Sequence, residues 1–188
     1  PRPADYKSAA LPTELHQQYV VNYIHNFFLC KSKIMKPHFY LHLTTQTQLV
    51  ELILNHKVIE SYGVSTAKNG LGEIHGSECT PRGWHCIRAK IGHNEPLRRV
   101  FVGRRSTGEI YTDDLAQQHP HRDWILTRIL WLDGLEPGLN RYGPRHTASR
   151  YIYIHGCPDT LIDGQARSHG CIRMRNSDVL ALFNRVPL

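Results

Sequence analysis

The sequence predicts a mainly β domain, a sandwich or barrel, with one late helix packed on it. Three observations carry that prediction. Short runs rich in Val, Ile, Leu and aromatic residues recur between Gly, Pro, Asn and Asp. The run around Phe39, Leu41 and Leu43 alternates with the period of a strand. Near the end, Val179, Leu182, Phe183 and Val186 recur at helical spacing.

In order, residues 1–37 read as a disordered or spurious N-terminal extension, ahead of a single domain over 38–188. PRPADYKSAALPTELHQQ has little apolar periodicity, and its beginning resembles the peptide obtained when a transfer-RNA gene is translated. Met35 is then the expected start, and no packed structure is expected before about Lys36 apart from a short helix over Thr13–Leu29. His38–Thr45 reads as a strand. Leu49–Leu54 and Val58–Val64 form a hairpin about the turn Asn55-His56-Lys57. Residues 65–83, rich in Gly, Ser, Thr and Asn, form a long loop closed by Thr80-Pro81-Arg82-Gly83. Trp84–Ile91 is the next strand, Arg99–Gly103 a further one, Ser106-Thr107-Gly108 a turn and Asp113–Gln118 a short helical turn. Trp124–Leu132 fits a buried strand or a short helix; Asp133-Gly134 and Pro137-Gly138 bound it tightly and favour the strand. After the polar loop Leu139–Arg150, Tyr151–Ile154 is aromatic and β-branched throughout and reads as a buried strand. Asn176-Ser177-Asp178 then supplies an N-cap and an acidic first turn for the helix.

Composition narrows the function. The net charge is +7, but the arginines are scattered in short pairs and no nucleic-acid motif accompanies them, so a nucleic-acid partner is not expected. No run approaches the ~18 apolar residues of a membrane helix, and no secretory signal is evident. Five cysteines at irregular spacing do not make a disulfide framework. A monomer with reduced thiols is expected.

The densest chemistry lies between His155 and Arg173. Cys30, Cys79, Cys86 and Cys157 read as inert packing. Cys171 differs because Gly170 beside it lets the chain turn sharply and exposes amide hydrogens, those of Gly170 and Cys171, to a tetrahedral oxyanion. A free thiol has a pKa of roughly 8.5 and needs activation. The late helix begins too far away to supply it, which leaves His155 or His169. His155 follows a strand and can approach from a neighbouring one, whereas His169 lies two residues from Cys171, where contact is strained; His155 is therefore the assigned base.

The run Ser168-His169-Gly170-Cys171-Ile172-Arg173-Met174, preceded by His155-Gly156 twelve residues upstream, closely resembles the catalytic motif of the L,D-transpeptidases, the YkuD-type domain. Thr80-Pro81-Arg82-Gly83 resembles the Thr-Pro-x-Gly loop of that family, and Val58–Thr66 its opening hairpin; the resemblance covers residues 38–188. It implies an antiparallel β-sandwich, with Cys171 as nucleophile, His155 as general base and the Gly156 carbonyl orienting the imidazole. It further implies an oxyanion hole from the Gly170 and Cys171 amides, and a substrate cleft lined by Ser168, His169 and Arg173, the last holding a carboxylate or carbonyl. The implied substrates are peptidoglycan stem peptides: the thiol attacks the L-centre carbonyl of the third residue, D-Ala leaves, and an amine of a second stem resolves the thioester into a cross-link. No metal or cofactor is implied, and carbapenems would be inhibitors. The family's last strand, in a Gly-Thr-x-Val pattern after the helix, is expected to be missing here, and residues 92–147 match only loosely.

Three alternatives remain open at this level. With water as acceptor the same site is an L,D-carboxypeptidase trimming recycled peptides, in the cytoplasm if Met35 is the start, whereas the family resemblance implies the periplasm or cell envelope. A zinc hydrolase could draw on His75, Cys79, His85, Cys86, His155 and Cys157, although their spacing fits no common zinc pattern. A non-catalytic wall-binding module would tolerate loss of the thiol.

Overall fold

The computed structural model describes residues 18–21 and 39–187. Among the described residues ten strands form one sheet: β1 (Gln18–Val21), β2 (Phe39–Thr44), β3 (Leu49–Leu54), β4 (Lys57–Ser65), β5 (Gly83–Ile91), β6 (Arg99–Val102), β7 (Arg105–Ile110), β8 (Ile125–Gly134), β9 (Tyr153–Gly156) and β10 (Ile172–Met174). Two helices join them, α1 (Asp113–Gln118) and α2 (Asn176–Arg185). The strand order is β5-β1-β2-β3-β4-β10-β9-β8-β6-β7, and β5 pairs β8 as well, so the sheet curls over on itself. The pairings are antiparallel except β1 with β5 and β9 with β10. The mainly β class with one late helix packed on the sheet is therefore what the chain adopts.

The core follows from strand alternation. Leu41, Leu43, Val50, Leu52 and Val64 from β2–β4 meet Leu130 and Leu132 of β8, Ile154 of β9 and Ile172 and Met174 of β10. Val179, Leu182 and Phe183 of α2 close this layer, each no more than 2% exposed. Burying such side chains contributes about 1.5–3 kcal/mol apiece, which fixes α2 and, through it, the strands that carry the chemistry.

Several elements differ from expectation. Gln18–Val21 is a strand in place of part of the helix expected over Thr13–Leu29; the rest of that stretch lies outside the described residues. Residues 105–110 pair with β6 rather than ending in a turn, because the tight Gly103-Arg104 reversal, with both residues at positive φ, returns the chain as a hairpin. The strand expected at Tyr151–Ile154 begins two residues later: Tyr151 ends a 3-10 turn in the left-handed region, and His155 and Gly156 lie inside the strand. The helix N-terminus is not capped by its own side chain; Asp159 Oδ1 accepts from the Asn176 amide at 2.9 Å.

Candidate active site

β9 and β10 lie side by side and parallel, with Ile172 opposite Ile154 and Arg173 opposite His155. Alternation sends Ile154, Ile172 and Met174 into the core under α2 and turns His155 and Arg173 to the other face. Cys171, two residues before Arg173, emerges on that face beside Tyr153, Phe101 and Ile129. Parallel pairing thus brings together a histidine and a cysteine that the sequence separates by a long loop. Their positions are diagonal neighbours across the β9–β10 pair.

His155 is fully buried. Its Nδ1 lies 2.8 Å from the Gly156 carbonyl oxygen. A carbonyl only accepts, so Nδ1 carries the proton and Nε2 of the neutral ring is the basic nitrogen. Nε2 is buried with no hydrogen-bond partner. Burial holds the imidazolium form down and outweighs the Asp123 charge and the Gly156 bond, which favour it. The ring is neutral at neutral pH.

Cys171 is a thiol, not a thiolate. Burial of the sulfur pushes its pKa up to about 12, against the lowering influence of the Tyr153 amide, Arg173 and Arg150. The Tyr153 N–H donates to Sγ at 3.4 Å, and Sγ in turn points to the Tyr151 carbonyl at 3.6 Å. The resting pair is a neutral thiol held off a neutral, unpartnered imidazole.

Gly170, before Cys171, has φ +127°, where a side chain is strained, and a Cβ there would lie 3.1 Å from Ile152 Cδ1. Ser168 is fully buried rather than lining the cleft: its hydroxyl donates to the Cys171 carbonyl at 2.6 Å and accepts from the Gly170 amide at 3.1 Å. The amide of Gly170, expected in the oxyanion hole, is therefore engaged inside its own loop. Thr80 of the Thr-Pro-Arg-Gly run locks this loop from outside, donating to the Gly170 carbonyl at 3.0 Å and accepting from the Ala67 amide at 2.9 Å.

Arg173 and His169 line a cleft of about 400 Å³ together with Tyr111, Asp123, Trp124 and Leu161. Arg173 is only 6% exposed, and its Nη2 donates to Asp123 Oδ1 at 2.7 Å. The sequence reading missed Asp123, which sits in the connector between α1 and β8 with no motif around it. It also missed the bulge in β8 between Leu126 and Ile129, where Thr127 takes φ 66° opposite His155 and Gly156. The Thr127 hydroxyl donates to Asn176 Oδ1, and Asn176 Nδ2 donates to the Cys157 carbonyl at 2.8 Å and to Asp159 Oδ1 at 2.9 Å. Gly156 is required beside this knot: a Cβ would meet the Leu126 carbonyl oxygen at 2.7 Å. Cys157 is fully buried, and burial pushes its thiol up to about 12. The residues considered for zinc do not converge: among the described residues no three His, Cys, Asp or Glu gather as a metal site.

The family model for the L,D-transpeptidase catalytic domain, YkuD, matches residues 38–188. The chain belongs to that family. Among solved structures it is similar to the L,D-transpeptidase of Xylanimonas cellulosilytica, at 15% identity over 75% of this chain and 52% of that one, with a TM-score of 0.38. It is similar also to an L,D-transpeptidase from Mycobacterium smegmatis, at 16% identity over 81% and 65% with a TM-score of 0.44. A third similar structure is an L,D-transpeptidase in complex with imipenem, at 15% identity over 79% and 50% with a TM-score of 0.34. The chain thus spans between 50% and 65% of the length of these proteins. No curated protein matches it. No helix among the described residues is long and apolar enough to cross a membrane.

Proposed function

We propose that the protein is a peptidoglycan L,D-transpeptidase of the cell envelope that works through a thioester on Cys171. The observation that carries this reading is the pairing of β9 with β10, which sets Cys171 beside a buried imidazole whose Nδ1 is fixed on the Gly156 carbonyl and whose Nε2 is vacant.

The neutral pair prescribes general-base catalysis rather than attack by a preformed thiolate. As a stem tetrapeptide binds, the thiol leaves the Tyr151 carbonyl for His155 Nε2. Nε2 takes the proton while Sγ bonds to the L-centre carbonyl carbon of the third residue. The Cys171 amide is the donor that remains for the oxyanion, since the Gly170 amide serves Ser168. The intermediate collapses as the C–N bond breaks, and His155 returns the proton to the departing D-Ala amine. An amine of a second stem then displaces the sulfur and forms the cross-link. With water in its place the product is the trimmed tripeptide of a carboxypeptidase.

The test is incubation with a stem tetrapeptide, with and without an acceptor stem. Release of D-Ala with a cross-linked dimer is the expected result. Release without dimer at any acceptor concentration would make the enzyme a carboxypeptidase, and no release would refute the reading.

A further inference from the structure

The cleft lined by Arg173 and His169 offers a carboxylate beside the guanidinium expected to meet the substrate. Arg173 is nearly buried and both terminal nitrogens are engaged, Nη2 on Asp123 Oδ1 at 2.7 Å and Nη1 on the Arg167 carbonyl at 3.3 Å. Asp123 is different. Its side chain is 51% exposed, and its Oδ2 has no hydrogen-bond partner among the described residues. Among the described residues it is the one acidic side chain lining the cleft. Arg122, which also lines the cleft, is engaged by Glu109 at 2.7 Å and lies over the Trp124 ring at 4.6 Å. Asp123 is held by Arg173, which lies opposite His155 across the β9–β10 pair, so this carboxylate is on the side of the sheet that carries the reacting groups.

We propose that Asp123 binds the ammonium group of the acyl acceptor and so determines amide formation over hydrolysis. The inference rests on the thioester chemistry proposed above. A carboxylate held in place by a buried guanidinium keeps its position when a second cation arrives, and its free oxygen can accept a charge-assisted hydrogen bond. The bound ammonium loses one proton to solvent. The resulting amine attacks the thioester carbonyl; its C–N bond forms, the C–S bond breaks, a second N–H proton passes to His155, and His155 returns it to Cys171 Sγ. The products are the new amide, the free thiol and one released proton.

The experiment compares the wild type with Asp123→Asn and Asp123→Glu, using a stem tetrapeptide as both donor and acceptor and hydroxylamine, which is uncharged at neutral pH, as a second acceptor. The Asn side chain can still accept from Arg173, so the site is kept while the charge is lost. The expected result for Asp123→Asn is an acceptor concentration for half-maximal dimer raised about tenfold or more, read as the ratio of dimer to hydrolysed tripeptide so that any change in the acylation step cancels. Transfer to hydroxylamine is unchanged, and Glu restores part of the preference. An unchanged ratio of dimer to hydrolysed tripeptide in Asp123→Asn would overturn the proposal. So would a fall in D-Ala release with that ratio intact, since Asp123 would then serve the donor. Absence of any thioester in the wild type is a separate outcome: it refutes the thioester chemistry itself and takes this inference with it.

Discussion

At the scale of single residues, the account turns on two neutral groups. Because burial lowers the basicity of His155, its proton-accepting form persists below the ordinary histidine range. The acid limb of the acylation rate is therefore expected below about pH 6.5, the usual imidazole value. The same shift affects stability with a definite sign. Below the ordinary pKa the unfolded chain binds the proton more readily than the folded one, so His155 costs stability as pH falls through that window and costs nothing above it. His155→Ala should lower acylation by about 10²–10⁴-fold, the usual contribution of a general base, and should flatten the acid unfolding slope; urea titrations at several pH values check the second point. Cys171, half-buried and with its thiol pushed up to about 12, should react with iodoacetamide more slowly at pH 7 than free cysteine. Gly170→Ala would place a side chain at φ +127°, at a cost of about 1–3 kcal/mol, and should abolish acylation before it abolishes folding.

At the scale of elements, the catalytic loop is held by contacts that cross long stretches of sequence. Thr80 ties it to the strand-following segment at Ala67, and Glu73 pins the rest of that long loop by accepting from Arg82 Nε at 2.8 Å and from Nη2 at 2.9 Å. Thr80→Val keeps the shape and removes both bonds, leaving the buried Ala67 amide unsatisfied at a cost of about 1–3 kcal/mol; thermal unfolding and acylation by a carbapenem measure the two consequences. The strands with clean alternation or long apolar runs, β2, β3 and β8, were legible because one face of each enters the core. β10 was not legible because three residues, Ile172–Met174, are too few for a period to show. Its parallel pairing with β9 is a tertiary event that no local pattern encodes.

At the scale of the whole molecule, the curled sheet has two faces with separate tasks. One is filled by α2 and the core, and the other carries His155, Cys171 and Arg173. Leu182, fully buried under the sheet, tests the separation. Leu182→Ala should cost about 2–5 kcal/mol, measured by denaturant unfolding, yet leave thioester formation in the folded fraction intact. The motif residues could be recognised from sequence because loop chemistry needs fixed neighbours: Gly170 for its φ, Ser168 for its hydroxyl, Gly156 for close backbone approach. Their partners could not. Asp123, Thr127 and Asn176 reach the site from the α1–β8 connector, a bulge and a helix start, and their roles exist only once the sheet has closed. Arg173 shows the limit most clearly, since it lines the cleft and also donates to Asp123, a partner that no local pattern announces. The claim on which everything else depends is that Cys171 carries the acyl group. Intact-protein mass spectrometry after incubation with a stem tetrapeptide and no acceptor stem tests it directly. A mass gain equal to the tetrapeptide less its terminal D-Ala, mapped to Cys171 and absent in Cys171→Ala, is the predicted result; D-Ala release that survives in Cys171→Ala, or an adduct on another residue, would contradict it.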